Sequence, residues 1–310
     1  MKKMLLAVNT KAGTGKIVPA LSDVIDLFQD AGYRVTVYLT RQDELPGVIA
    51  DEAADYDAVV CVGGDGTLNE TINGIMRLPE PRPTLGYIPA GTMNDITCTL
   101  GMPKKLMECA RVIAEGHSRP MDVNTFNDRY FDYIAAFGSF VDVSFATSRE
   151  AKNNFGLMAY FWEVAKRVSK LRDYHVRVEY DDQVFEGDVM IGMVSNGTYS
   201  AGFAIGEQIE AQIDDGMAEI ILLKKPENLV DATSLINSYL AGELAGSDGV
   251  FWARAKKLRI TTSEPLPWTL DGEFGGEHRE VVCENIMHAV NMFAPLSPIR
   301  RKKLAKTIEE

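Results

Sequence analysis

Residues able to do chemistry in this chain gather at turns. Val62-Gly63-Gly64-Asp65-Gly66-Thr67-Leu68-Asn69-Glu70 follows an apolar run, residues 58–61, that reads as a buried strand. A helical pattern over residues 68–76 comes next, with Leu68, Ile72 and Ile75 on one face. Three glycines in four positions at a strand-to-helix turn admit backbone angles that side chains forbid. They also let main-chain N–H groups approach an anion, with the positive end of the helix behind them. Asp65, inside that turn, would repel phosphate unless a cation lay between, so the economical reading is a site for nucleotide phosphates plus Mg²⁺. A bare Gly-Gly-x-Gly is about as often a tight turn beside an ordinary acidic surface residue.

Other carboxylates recur at turns. Asp95 ends Pro89-Ala90-Gly91-Thr92-Met93-Asn94-Asp95, a second glycine-bearing turn that should open a helix, and Asp122 follows the next crossover. Far downstream, Asp271-Gly272-Glu273 reads as a turn after an apolar strand end that aims two carboxylates outward, although alone it is more often only a hairpin. Phosphoryl transfer from ATP gives these groups a joint purpose: Mg²⁺ bridges the phosphates and a carboxylate orients the attacking hydroxyl. Gln212-Ile213-Asp214-Asp215-Gly216-Met217 is a further acidic loop. It could hold a second, structural cation through Asp215 and main-chain carbonyls, and a simple turn is as frequent an outcome.

The elements that must position these groups alternate at first between strand and helix. Strand patterns at residues 4–8, 35–39, 58–61 and 85–88 interleave with helical spacing, as in Leu21, Val24, Ile25 and Phe28, and imply a mostly parallel, doubly wound α/β sheet with ligands at the strands' carboxyl ends. The loop Asn9-Thr10-Lys11-Ala12-Gly13-Thr14-Gly15-Lys16 leaves the first strand, yet Ile17 and Val18 spoil both the Walker and the dinucleotide patterns. After a helix at residues 103–115 the texture changes. Strand-like runs at 130–137, 176–180, 184–194, 218–223, 257–262 and 281–283 predict a second, largely antiparallel β-sandwich domain. Helices at 157–171 and 228–241 should interrupt it; the apolar patch of the first, from Leu157 to Val164, favours core packing over a lipid-facing wall.

With 32 Lys+Arg against 44 Asp+Glu, the net charge of −12 argues against a general nucleic-acid binder. Cys61, Cys98, Cys109 and Cys283 show no paired spacing and sit among apolar neighbours, which suits reduced, buried thiols in a cytoplasmic protein. No stretch approaches the length of a membrane span. The basic run Arg300-Arg301-Lys302-Lys303 with Lys306 reads as a solvated helix end, with attraction to an anionic membrane as the alternative.

Taken in order, Gly63-Gly64-Asp65-Gly66-Thr67 with Asn69-Glu70, then Gly91-Thr92-Met93-Asn94-Asp95, then Asp271-Gly272-Glu273 resemble the soluble bacterial diacylglycerol kinases, which belong with sphingosine and ceramide kinases to one lipid-kinase superfamily. The resemblance implies an α/β ATP-binding domain over residues 1–122, a β-rich lipid-substrate domain over 123–289, a tail at 290–310 that returns to the first domain, and nucleotide in the cleft between. It implies ATP contacts at Asn9, Thr10, Gly13, Thr40 and Thr92 and along Gly64, Asp65, Gly66, Thr67, Leu68, Asn69 and Glu70. Asp65, Asp95 and Asp122 would form the Mg²⁺ and water network, and Glu273 would be the general base for the lipid hydroxyl, with Asp271 beside it. A structural Mg²⁺ would sit at Gln212, Asp215 and Met217, the first and last through carbonyl oxygens.

The implied reaction is ATP-dependent conversion of diacylglycerol to phosphatidic acid, by a cytoplasmic enzyme that meets its lipid at the inner membrane face. Phosphatidylglycerol or a sphingoid base is the alternative acceptor, and a homodimer stays open. NAD kinases share Gly-Gly-Asp-Gly-Thr, but there the Asn-Glu pair lies well downstream and a Gly-x-Leu-Gly-Phe segment is expected; here Asn69-Glu70 follows almost at once. A regulatory nucleotide binder that kept only the fold is disfavoured by the intact Asp65, Asp95 and Glu273.

Overall fold

The computed structural model describes residues 1–12, 17–41, 44–91, 94–139, 172–197, 199–200, 203–204 and 212–296. The helix expected at 157–171, the basic run from Arg300, and Gly13 and Thr92 lie outside the described residues. The chain divides into two compact units: Met1–Met121 with the segment from His288 onward, and Asp122–Met287.

The first unit is an α/β layer structure. β1 (Lys2–Val8), β2 (Tyr33–Leu39), β3 (Ala58–Gly63) and β4 (Thr84–Pro89) pair in parallel in the order β4-β3-β1-β2. Every residue of β3 is buried, as a parallel strand covered on both faces requires. Between the strands run α1 (Ile17–Asp30), α2 (Leu45–Glu52) and α3 (Asp65–Ile75). α1 buries Ile17, Val24 and Phe28, and α3 packs on α2 where Gly74 leaves room for Ile49. α4 (Asp95–Leu100) and α5 (Leu106–Glu115) follow β4 and end at Gly101 and Gly116, both left-handed. The chain comes back to this unit at its far end: Met292 pairs beside Leu85 of β4, Arg82 Nη1 donates to the Ala289 carbonyl at 2.9 Å, and the Ala294 amide to the His117 carbonyl at 3.1 Å.

The second unit is antiparallel. β5 (Ser118–Phe126) enters it and pairs with β6 (Arg129–Phe131); β7 (Ile134–Gly138), β8 (Tyr174–Tyr180), β9 (Gln183–Val189), β10 (Ile191–Ser195), the short pair β11 (Tyr199–Ser200) and β12 (Phe203–Ala204), and β13 (Ala218–Leu223) follow. α6 (Leu229–Ala241) is capped by Asn228, whose side chain accepts from the Val230 and Asp231 amides. β14 (Val250–Ala255), β15 (Lys257–Leu270) and β16 (Glu273–Phe293) complete it. One path of pairing runs β14-β13-β10-β7-β15-β16, and β9 pairs with β8, which pairs with β15. β15 changes partner along its length, from β8 over Leu258–Thr262 to β7 over Trp268–Leu270, across an irregularity between Thr261 and Leu266. One strand thereby serves both layers of a sandwich. Its core holds Phe126, Phe137 and Trp268, with ring centroids 5.1 and 4.6 Å from the tryptophan. Each such buried side chain contributes roughly 1.5–3 kcal/mol.

Two expected strands divide. The run at 130–137 breaks at Asp132-Tyr133, whose amides go to a carboxylate rather than a neighbouring strand, and the run at 184–194 breaks at Met190, whose amide goes to the Leu223 carbonyl. The expected strands at 257–262 and 281–283 are instead parts of the long β15 and β16. None of the four cysteines forms a disulfide; Cys98 departs from the expectation of burial by being half-exposed.

Candidate active site

In the first unit the chain winds from β1 to β2 on one side, then returns to β3 on the other, so the carboxyl ends of β1 and β3 flank a switch point of the parallel sheet. Two bonds span it. The Asn9 amide donates to the Val62 carbonyl at 2.9 Å, and Asn9 Nδ2 donates to Thr67 Oγ1 at 3.0 Å. The Asn9 carboxamide oxygen also accepts from the Lys11 amide, which curls the loop back over the strand end. Exposed Thr10 follows, and Thr40, at the end of β2, is tied by its amide to the Val8 carbonyl at 2.9 Å.

The two glycine turns meet at the same edge. The Ala90 amide donates to the Gly63 carbonyl at 2.7 Å, and a Cβ on Gly91 would stand 2.7 Å from Gly64 Cα. No residue but glycine permits that approach of two backbones. Gly64 caps α3, which begins at Asp65, so Gly66, Thr67, Leu68, Asn69 and Glu70 form its first turns; Thr67, Leu68 and Asn69 are buried, whereas Gly64, Asp65, Gly66 and Glu70 are half-exposed around the helix's positive end.

Asn94 joins the two turns. Its amide donates to Asp65 Oδ2 at 3.0 Å, its side-chain oxygen accepts from Tyr87 Oη at 2.8 Å and from the Gly91 amide at 3.2 Å, and its Nδ2 donates to the Gly91 carbonyl at 2.9 Å. It holds φ +53°, a left-handed angle that asparagine tolerates better than most residues. Sequence reasoning placed Asn94 within the motif but not among the working residues; the signal was an amide beside Asp95 at a helix start. Asp95 is the first residue of α4.

The second unit gathers other acidic residues. Asp271 and Gly272, at φ +49° and +86°, make the tight turn between β15 and β16. Asp271 does not point outward as expected. It is 2% exposed, and its carboxylate accepts from the amides of Asp132 (3.0 Å), Tyr133 (3.1 Å) and Ile134 (2.9 Å), because those donors lie at the break between β6 and β7 and need acceptors. Glu273 is exposed as expected. Asp122 is fully buried, its Oδ2 accepting from the Gly216 amide at 2.7 Å. Buried Asn196 donates to the Asp122 carbonyl at 2.8 Å and to the Asp132 carbonyl at 3.3 Å, tying β5 to the connection between β6 and β7.

Of the proposed loop ligands, Gln212 is exposed and Asp215 is half-buried with Met217. Buried Glu219 stands close by, and burial pushes its carboxyl up to about 8, opposed by Arg254 and reinforced by Asp215. The backbone amides of Glu219 and Gly197 face its carboxylate, yet neither reaches hydrogen-bonding geometry with it.

A family model described as the diacylglycerol kinase catalytic domain matches residues 3–126, and one described as the YegS C-terminal NAD kinase beta sandwich-like domain matches residues 138–292. Proteins named diacylglycerol kinase from Staphylococcus carnosus and Bacillus subtilis are 32% and 31% identical over 280 and 281 residues, 89% of this chain in both cases and 90% and 91% of theirs. The chain belongs to the diacylglycerol kinase family. A crystal structure of a protein described as a putative diacylglycerol kinase from Bacillus anthracis superposes with a TM-score of 0.81 at 28% identity, covering 96% of each chain. The family is one of lipid kinases, and this chain is an enzyme of that class, with ATP as its phosphoryl donor.

Proposed function

We propose that the chain transfers the γ-phosphoryl group of ATP to the free hydroxyl of diacylglycerol, giving phosphatidic acid, with Mg²⁺ as the divalent partner. The mouth formed by Gly64, Gly91 and the start of α3 supports this reading most: backbone pressed against backbone at a helix N-terminus is what a triphosphate needs. In this reading Asn9, Thr10, Thr40 and the run Gly64 to Glu70 bind and orient the nucleotide, together with Gly13 and Thr92.

Asp65 offers hard carboxylate oxygens held in one orientation by the Asn94 amide, a donor that fits Mg²⁺. Asp95 and Asp122 join it on the strength of the family resemblance. The ion, when bound, neutralises charge on the transferring phosphoryl group. Glu273, exposed after the tight turn, takes the proton of the acceptor hydroxyl; Asp271 acts through it, fixing the turn from which Glu273 projects. Among the described residues no helix is long and apolar enough to cross a membrane, so the lipid is met at a bilayer surface in this reading.

The test is a kinase assay with γ-labelled ATP against vesicles carrying diacylglycerol, phosphatidylglycerol or a sphingoid base, with NAD as a water-soluble control. Label should enter a chloroform-extractable product, most strongly with diacylglycerol; label found only in NADP overturns the reading. Glu273→Gln should lower kcat by about 10²–10⁴ while the ATP dissociation constant stays put. An undiminished kcat removes Glu273 from the mechanism.

A further inference from the structure

The acidic loop that precedes β13 already has its partners within the chain. Asp215 Oδ1 accepts from the Met217 amide at 3.0 Å, and Asp215 Oδ2 is ion-paired to Arg254 Nη2. The Met217 carbonyl, the second expected metal donor, accepts from Asn285 Nδ2 at 3.2 Å, and Asn285 is 2% exposed. The loop's shape is set from below: the Asp122 amide donates to the Ile213 carbonyl and the Gly216 amide to the Asp122 carboxylate, both at 2.7 Å.

Arg254 stands directly opposite Glu219 in the β13–β14 ladder, with Nε 3.4 Å from Glu219 Oε1. Glu219 is 1% exposed and neither of its carboxylate oxygens has a hydrogen-bond partner, so the guanidinium is the positive group that faces it. The permanently charged guanidinium therefore bonds Asp215 through Nη2 and stands within ion-pair distance of Glu219 through Nε, which makes no hydrogen bond of its own. Mg²⁺ demands near-octahedral oxygen ligation. Of the donors named for it, the Asp215 carboxylate and the Met217 carbonyl are engaged, and among the described residues no group of three or more His, Cys, Asp or Glu side chains is placed to hold a metal ion. The loop as built does not fit the structural ion that the family resemblance implies.

We propose that Arg254 is the resident cation of this loop, balancing the Asp215 carboxylate and standing against buried Glu219 in place of a structural divalent ion, so that the loop keeps its shape without metal. The divalent ion that accompanies ATP is a separate matter, and the proposal stands or falls independently of the phosphoryl-transfer reading.

The test is thermal melting of the full chain without nucleotide, in chelator and in millimolar Mg²⁺, for wild type, Arg254→Met, Arg254→Lys and Asp215→Asn. A loop site filled at about a hundred times its dissociation constant would raise the midpoint by roughly 5–10 °C. Wild type should instead melt within about 1 °C in the two buffers. Arg254→Met should melt roughly 5–10 °C lower in chelator, with Arg254→Lys between the two. A wild-type gain in Mg²⁺ that Asp215→Asn abolishes overturns the proposal, as does an Arg254→Met midpoint equal to that of wild type in chelator. A gain that survives Asp215→Asn arises away from the loop and leaves Arg254 in place. Should Arg254→Met fail to fold, elemental analysis of desalted wild type decides: no retained metal supports the proposal, and one equivalent of Mg²⁺ per chain that Asp215→Asn lacks overturns it.

Discussion

The Asn94 side chain bonds to the Gly91 main chain on both its amide and carbonyl and to the Tyr87 hydroxyl, while its own amide fixes Asp65. Replacing it by alanine removes the three side-chain bonds to Gly91 and Tyr87 and keeps a left-handed backbone angle on a residue that resists it. Asn94→Ala should cost about 1–3 kcal/mol of stability in urea unfolding and raise KM for ATP. Asn94→Gly relieves the backbone but not the lost bonds, so it should unfold closer to wild type while sharing the raised KM. A KM unchanged in both variants would show that the junction of the turns does not shape the nucleotide mouth. The glycines around this residue were legible in the sequence, because three of them at a strand end have few other uses. The partners of the Asn94 amide were not, since nothing in local spacing says which distant backbone a side chain will face.

Among the elements, the β15–β16 hairpin carries the clearest divergence between pattern and structure. Its Asp-Gly turn was readable, but the inward carboxylate depends on the amides of residues 132–134, more than a hundred residues earlier in the chain. Oδ1 takes two of those amides and Oδ2 takes the Asp132 amide. Asp271→Asn can keep the pair on its remaining oxygen and loses the third acceptor, so urea unfolding should show a loss of about 1–3 kcal/mol. A variant as stable as wild type would mean that water replaces the lost acceptor.

The long strands were underestimated for a related reason. Glu264-Pro265-Leu266-Pro267 looks like a terminator, yet it marks the irregular stretch where β15 changes partner, a position where proline is tolerated. The parallel strands β1, β3 and β4, buried on both faces, announce themselves as apolar runs and were placed to within a few residues.

On the β8–β9 ladder, His175 bonds to Asp188 at 2.8 Å, and this bond, followed by that to Glu186, raises its pKa above the ordinary imidazole value. A raised folded-state pKa means that the favourable charge is fully present below the unfolded value and is lost as pH rises through the folded one. Proton NMR titration should therefore find the His175 ring titrating late, and Asp188→Asn should bring it back down. An unmoved titration would assign the shift to Glu186 alone.

Across the whole molecule, burial grades the thiols. Cys61, Cys109 and Cys283 are buried and Cys98 is half-exposed; burial pushes the Cys109 thiol up to about 11 and the Cys283 thiol higher still. A disulfide-exchange reagent at neutral pH should label Cys98 first, and the other three only after denaturation. Simultaneous labelling of all four in the native protein would contradict the packing of β3, α5 and β16.

The return of the chain to its first unit has a consequence for biosynthesis. Leu85 of β4 waits for Met292, and Arg82 waits for the carbonyl of Ala289, while every residue of Asp122–Met287 is made in between. At about 5–20 residues per second, the ribosome leaves that flank of the nascent sheet uncovered for roughly ten to forty seconds. Through that interval the exposed edge is a template for stray strands, a hazard that a trigger-type chaperone acting on the emerging polypeptide would have to screen.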